Sequence, residues 1–235
     1  MSDPAPAISF FDPSREIYGT AREAATVLFR GRKPEAFAEG PSVERKGGHV
    51  RAELGDRFAL ELEPVSPEAD LGGLVARLCR VTGEVGGTKV DCLGTLAETK
   101  VPPSWSELDA VRSISVLGDA ENAVLVLARR PRGALGHGQE LITAWLLEAG
   151  ELRGVEEARV STVYDGDGRQ RNAGLELWLP GEDFPRRVSG SAIAGSSLEL
   201  EGLDVHVAVF RWQMDGREAA GAYELLVRRE PAAAA

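Results

Sequence analysis

Between Arg159 and Arg229 the chain repeats one pattern, short runs that alternate apolar and polar residues and break at close intervals on turn residues. Arg159-Val-Ser-Thr-Val-Tyr164 is β-branched and aromatic, Asp165-Gly-Asp-Gly168 turns the chain, and Ala173-Gly-Leu-Glu-Leu-Trp-Leu179 returns in strict alternation. A period of two puts successive side chains on opposite faces of a strand. Arg186 to Ile193, Ser197 to Glu201, Val205 to Gln213 and Arg217 to Val227 continue the pattern, with Asp215-Gly216 as a type I′ hairpin signal. The stretch reads as a β-meander whose sheet curls or closes.

The remainder reads as a second such unit. Residues 1–7 form a Pro/Ala tail expected to be disordered. Ile8-Ser-Phe-Phe11 begins order and Asp12-Pro13 turns. Glu16 to Phe29 has an Ala-rich middle with helix propensity, but its β-branched residues and Gly31 favour strand and turn. Val43 to Leu54 and Phe58 to Glu63 are expected to pair about Gly55-Asp56, and Val81 to Leu93 to fold about Gly86-Gly87. Leu71 to Val81 and Gln139 to Leu147 fit helix or strand. Pro102 and Pro103 mark residues 101–110 as a linker between units at 8–100 and 111–230, with a tail at 231–235. Beyond it, Val111 to Leu117 and Ala123 to Arg130 pair across residues 118–122. Leu60-Glu-Leu-Glu63 recurs as Leu198-Glu-Leu-Glu201, each followed by an apolar run, an Arg (Arg80, Arg211), a hairpin and a closing strand, which suggests a tandem repeat.

Composition narrows the function classes. With 43% hydrophobic and 27% charged residues, the 235-residue chain is an ordinary globule long enough for a sizeable core. No apolar run reaches the roughly 18 residues a transmembrane helix needs, and Met1-Ser-Asp-Pro-Ala-Pro6 does not read as a secretory signal, so no membrane insertion and a cytoplasmic address are expected. A net charge of −10 argues against nucleic acid. The densest basic cluster, Arg129, Arg130 and Arg132, reads as a solvated strand end. Cys79 and Cys92 read as reduced packing residues, too few for a structural zinc site. No nucleotide loop, metalloprotease helix, nucleophile elbow or paired-cysteine motif occurs, and no metal or cofactor is expected.

A few residues remain as candidates for chemistry. His137, between Gly136 and Gly138, is placed where backbone and imidazole can approach a ligand; His49 reads as a turn residue and His206 as a strand residue facing away from Val205 and Val207. Asp165 and Asp167 begin like a calcium loop, but Arg169 and Arg171 occupy positions that need oxygen ligands, so the segment reads as a turn. Trp105, Trp145, Trp178 and Trp212 are core or pocket aromatics. Arg22, Arg80 and Arg211 interrupt apolar patterns, where each needs a carboxylate such as Glu23, Glu84 or Asp91, or else serves as a polar anchor in a cavity.

Taken together, Phe11-Asp-Pro13, Ile17-Tyr-Gly19 with Arg22, Val81-Thr-Gly-Glu-Val85 through Gly94, Val111-Arg-Ser-Ile-Ser-Val116, Gly136-His-Gly138 and the meander from Arg159 to Arg228 resemble a bacterial family of tandem lipocalin-like proteins related to carotenoid hydratases, the hydroxyneurosporene synthases. The resemblance spans nearly the whole chain. It implies an all-β fold of two tandem lipocalin-like (calycin-like) antiparallel barrels or curled sheets. It also implies a barrel-like pocket for an elongated apolar molecule, in some relatives with addition of water or cyclisation. Relatives that look catalytic carry an acid, His and Trp grouping after the middle hairpin, whereas Gly94 to Trp105 here contains no histidine. Glu98 and Trp105 are the residues left to stand in.

The expectation is thus a binder of a small hydrophobic molecule, with catalysis left open. Trp145, Trp178 and Trp212 would form walls, Trp105 a further ligand contact, Arg22 and Arg211 polar anchors, and Glu98 or His137 the proton donor. A non-catalytic module that binds another protein through its sheets is the alternative.

Overall fold

A computed structural model describes residues 6–229. The tails at 1–5 and 231–235 lie outside the described residues, while Ala7 already belongs to a strand. The first unit holds β1 (Ala7–Asp12), β2 (Ile17–Arg22), β3 (Ala25–Arg30), β4 (Lys33–Phe37), β5 (Ser42–Lys46), β6 (His49–Leu54), β7 (Phe58–Pro64), β8 (Ala69–Asp70), β9 (Leu74–Val85) and β10 (Thr88–Thr99). The second holds β11 (Leu108–Asp119), β12 (Asn122–Pro131), β13 (Leu141–Glu148), β14 (Glu151–Gly154), β15 (Glu157–Tyr164), β16 (Gln170–Trp178), β17 (Arg186–Leu200), β18 (Leu203–Met214) and β19 (Arg217–Arg228). A single 3₁₀ turn, His137–Gln139, is the helical element among the described residues, and no helix is long and apolar enough to cross a membrane.

The two sheets share one topology. Their orders are β4-β3-β2-β1-β10-β9-β7-β6-β5, with β8 on β9, and β14-β13-β12-β11-β19-β18-β17-β16-β15. In each, the first strand pairs antiparallel with the last, so the meander folds back on itself and strand twist curls it into a half-barrel. Neither curl closes by a strand ladder: β4 and β5 are the two edges of one sheet, β14 and β15 of the other. In the second unit the open side is bridged by the Val155 N–H to Ala144 carbonyl bond of 3.1 Å. Arg153 and Arg186, each paired with Glu148 and Glu182, add charge pairs there.

A serine and a glycine set the seam of each unit. Ser9 Oγ accepts the Thr95 N–H at 3.2 Å, and Ser115 Oγ accepts the Ala222 N–H at 3.1 Å. The residue before each donor is a glycine, and a Cβ there would come within 2.0 Å of the Ser9 carbonyl oxygen (Gly94) or 1.9 Å of that of Ser115 (Gly221). Only glycine admits so close a backbone approach. The sequences around the serines, Ile8-Ser-Phe-Phe11 and Ile114-Ser-Val-Leu117, therefore carry the repeat. The Leu-Glu-Leu-Glu match does not superimpose in register: Leu60–Glu63 pairs with Gly83–Arg80, whereas Leu198–Leu200 lies beside the β17–β18 turn, opposite Val205–Leu203. The order of elements around it does correspond.

Most strand expectations hold, with three corrections. Arg186 to Ile193 and Ser197 to Glu201 run on as the single strand β17, with a register shift between Ala192 and Ala194. Glu16 to Phe29 is two strands, β2 and β3. Val43 to Leu54 is two strands, because Gly47 and Gly48 both take positive φ (59° and 88°) and turn the chain between β5 and β6. The segment reading as helix or strand from Leu71 is β9, and that from Gln139 is β13. Asp215 and Gly216 show positive φ at both central positions (50° and 75°), the type I′ geometry. Asp165 Oδ1 accepts the N–H groups of Asp167 and Arg169, both at 2.9 Å, as an Asx turn.

Each lumen is packed with side chains. Phe10, Leu28, Phe58, Leu60 and Leu62 fill the first, with Cys79 and Cys92 beside them as free thiols. Ile114, Leu175, Phe210, Trp212 and Tyr223 fill the second. The opposite faces of the seam strands pack the units against each other, Phe11, Tyr18 and Phe29 meeting Leu117, Val207 and Val209. This shared core accounts for Arg129 as well: it is no solvated strand end but donates across the junction to the Leu71 carbonyl at 3.2 Å and to that of Gly72.

Candidate functional site in the groove between the units

The shared core leaves space at one end. A cavity of about 420 Å³ opens between the units, walled by Phe11, Tyr18 and Leu93 on one side and by Leu117, Ile193 and Ala220 on the other. It exists because Gly118, Ala219 and Ala220 present little or no side chain to the large aromatics of β1 and β2. The cavity therefore lies between the half-barrels and not inside either one, where large residues leave no comparable room.

Its polar groups divide into engaged and available. Asp12 is buried and accepts from Ser14 Oγ at 2.6 Å, the Arg15 N–H at 3.1 Å and Arg15 Nη1 at 2.9 Å, so it caps its own turn. Asp91 is held by Arg80, with bonds of 2.9 and 2.7 Å, and the bond to Arg80 lowers its pKa. Arg80 thus has its carboxylate across the hairpin. Arg211 projects from β18 into the groove and, among the described residues, has no carboxylate within ion-pair distance. The Tyr18 phenol has its pKa raised by burial and then by Glu16, with Arg211 acting in the opposite direction, so it stays protonated at neutral pH. A free guanidinium and a neutral phenol, on a wall that is about half apolar and also carries Glu16 and Glu218, can hold an acceptor or anionic end of a guest while the apolar half takes its body.

The other residues singled out in the sequence are dispersed. Glu98 ends the lumen row of β10, six residues beyond Cys92 and so about 20 Å along the strand from the groove. Its carboxylate binds Lys100 Nζ at 2.6 Å and Arg45 Nη2 at 3.0 Å; the Lys100 bond holds its pKa low, which keeps it charged and not a proton donor at neutral pH. The backbone of His137 opens the 3₁₀ turn of the second unit, away from the groove lining, and its side chain lies outside the described residues. Arg22 is matched by neither Glu23 nor Asp91 but by Glu224 of the other unit. Trp212 stacks on Phe210 in the second lumen, with ring centroids 4.7 Å apart. Trp178 faces outward under the Arg159 guanidinium at 4.7 Å. Trp145 donates from Nε1 to the Asp70 carbonyl at 2.6 Å across the junction, and Trp105 packs into the same cluster. The four tryptophans thus form no common wall. His206 bonds Ser197 Oγ at 2.8 Å through Nδ1, directly across the β17–β18 ladder. Among the described residues no group of three or more His, Cys, Asp and Glu could hold a metal ion.

Tyr18, Leu117 and Ala220 were not singled out as site residues, although Tyr18 falls within the Ile17-Tyr-Gly19 stretch of the resemblance. Leu117 and Ala220 lie on the seam strands β11 and β19, and Tyr18 on β2 opposite Phe11 of β1, positions that become informative only once the two seams are known to pack together.

No family model matches the chain, and no curated protein matches it. Solved structures do. A protein solved as a candidate AttH from Nitrosomonas europaea is 13% identical over 94% of this chain and 91% of its own, with a TM-score of 0.64. Kievitone hydratase from Nectria haematococca is 9% identical over 97% of this chain and 89% of its own, with a TM-score of 0.59. At these identities the likeness is one of fold: two curled antiparallel sheets in tandem.

Proposed function

We propose that the protein binds a small, mainly hydrophobic molecule in the groove between its two units, with Arg211 and Tyr18 holding the polar end of the guest. The observation that carries this reading is the cavity of about 420 Å³ beside an arginine that has no ion-pair partner among the described residues. An unpaired guanidinium beside the apolar surface of Phe11, Leu93, Leu117 and Ile193 favours a guest with one anionic or hydrogen-bond-accepting group on a hydrophobic body. The resemblance to carotenoid hydratases supports a terpenoid-like body, and the fold shared with kievitone hydratase supports addition of water as the reaction such a site would host. Hydration, isomerisation or cyclisation would draw its proton from the groove wall, where Glu16 and Tyr18 are the candidates.

The interaction-module reading expects filled lumens, which are present, but gives no role to an open groove lined by Arg211. Hydrogen exchange with and without a panel of isoprenoid acids and alcohols separates the two. The ligand reading expects slowed exchange confined to the segments around Phe11–Tyr18 and Leu117–Gly118; an unchanged pattern with every compound removes it.

A further inference from the structure

The junction between the units opens again at the end opposite the groove. On the facing sides of the four seam strands, Phe11, Leu93, Leu117 and Ala220 wall the groove. Four residues along each strand, about 13 Å away, stand Ala7, Ala97, Ser113 and Glu224. These line a separate cavity of about 160 Å³, which continues as a cleft of about 60 Å³ between Ser9, Thr95, Ser115 and Ala222. Three of the four carry only an Ala or Ser side chain, too short to fill the space between the sheets.

The rest of the wall is mostly apolar, with Leu74, Val111, Leu127 and Leu226 around the cavity. Val101 and Pro103, in the segment expected to be a linker, stand at its rim and are exposed to solvent. That segment is pinned in place, since the N–H groups of Lys100 and Val101 donate to the Gly73 carbonyl at 2.8 and 2.9 Å. It therefore forms part of the pocket as well as joining the units.

Three charged side chains reach this space. Arg22 and Glu224 neutralise each other as an ion pair. Arg129 is half-buried, and its Nη2 donates to the carbonyls of Leu71 and Gly72. Among the described residues its Nε and Nη1 make no hydrogen bond, and no carboxylate lies within ion-pair distance of it. Desolvation lowers its pKa, with Asp70 acting in the opposite direction. The lining thus holds one cation more than it holds anions, and a desolvated guanidinium that meets only carbonyl dipoles is stabilised further by a carboxylate.

We propose that this cavity is a second ligand site, independent of the groove, which takes a small monocarboxylic acid with its carboxylate on Arg129 and its apolar body against Leu74, Val111 and Leu226. A cavity near 150 Å³ accommodates about one benzene ring, so the body is a single ring or a short chain. The elongated guest expected in the groove is too large for it.

The test is calorimetric titration of the full chain with 3-phenylpropionate and 3-phenylpropanol, whose bodies match and whose charge differs. Arg211→Glu is the background, because it disables the groove. In that background 3-phenylpropionate should bind saturably at one site. Adding Arg129→Met should weaken it by about tenfold or more while 3-phenylpropanol is little affected. Adding Ser113→Leu, which puts a branched side chain into the cavity, should abolish binding of both. Thermal melting identifies the folded variants, and should Arg129→Met not fold, Ser113→Leu decides alone. Binding that vanishes with Arg211→Glu belongs to the groove and overturns this inference without touching the groove reading. An affinity unchanged by Arg129→Met or by Ser113→Leu in a folded protein overturns it too, as does no saturable binding at all.

Discussion

Arg22 of β2 and Glu224 of β19 stand 202 positions apart in sequence and meet as an ion pair across the junction of the two units. Burial lowers the pKa of Arg22, so the contact with Glu224 offsets the loss of hydration on the arginine. The side chains are 27% and 12% exposed, so the pair is neither a surface pair nor a fully dry one. Glu224→Gln should cost about 1–3 kcal/mol of unfolding free energy by leaving a desolvated charge unmatched. Urea denaturation checks this, and the double variant with Arg22→Met should recover part of the loss, since it removes the orphaned charge.

Gly94 and Gly221 make a paired prediction. Alanine at either drives a methyl into the carbonyl of Ser9 or Ser115, and the seam cannot yield without losing its ladder. Each substitution should cost about 3 kcal/mol, read from the denaturation midpoint. Gly138→Ala is the control: nothing lies within 4 Å of the added methyl, and stability should hardly change.

Tyr223 predicts an alkaline response. Burial pushes its phenol from 10.0 to about 12, with the nearby Arg112 acting against the rise. Between those values the unfolded chain loses its proton while the folded protein keeps it. The stabilisation is therefore complete below pH 10 and declines toward pH 12, by up to about 3 kcal/mol for this residue. Cys79 and Cys92, raised from 9.0 to about 12 by burial, act in the same direction and begin at lower pH. Unfolding free energy measured from pH 8 to 12 should fall throughout, and Tyr223→Phe should flatten only the part above pH 10.

The buried thiols carry a second consequence. With pKa values pushed up to about 12, neither is a thiolate at neutral pH. A thiol-specific chromogenic reagent should react slowly with the native protein and release two equivalents only on unfolding. Rapid reaction of either thiol in the native state would contradict the packing described.

The fold was legible because it rests on local signals. Alternation along Ala173 to Leu179, the positive φ demanded at Asp215-Gly216 and the breaks at Gly86-Gly87 are each set within a few residues. Gly47-Gly48 carried the same kind of signal, but it sits inside a polar stretch where alternation is weak, and one long strand was expected in place of two. The candidate site was legible only in fragments. Arg211 stood out because it interrupts an apolar strand, yet its neighbours Tyr18, Leu117 and Ala220 come from three other strands and both units. Nothing local told Arg22 that its partner was Glu224 and not Glu23. The tryptophans misled for a related reason: Trp178 and Trp212 sit on opposite faces of their sheet, which alternation predicts only after the lumen side of each strand is known.

The groove itself is tested most directly by calorimetric titration of farnesoate, an isoprenoid carboxylate, into the wild-type protein and Arg211→Glu. Arg211 is exposed, so the reversal should leave the melting temperature unchanged. The account predicts saturable binding to the wild type, weakened by about tenfold or more in the variant, with farnesol much less affected. Equal affinity of the two proteins for farnesoate, or no binding to the wild type, would contradict it.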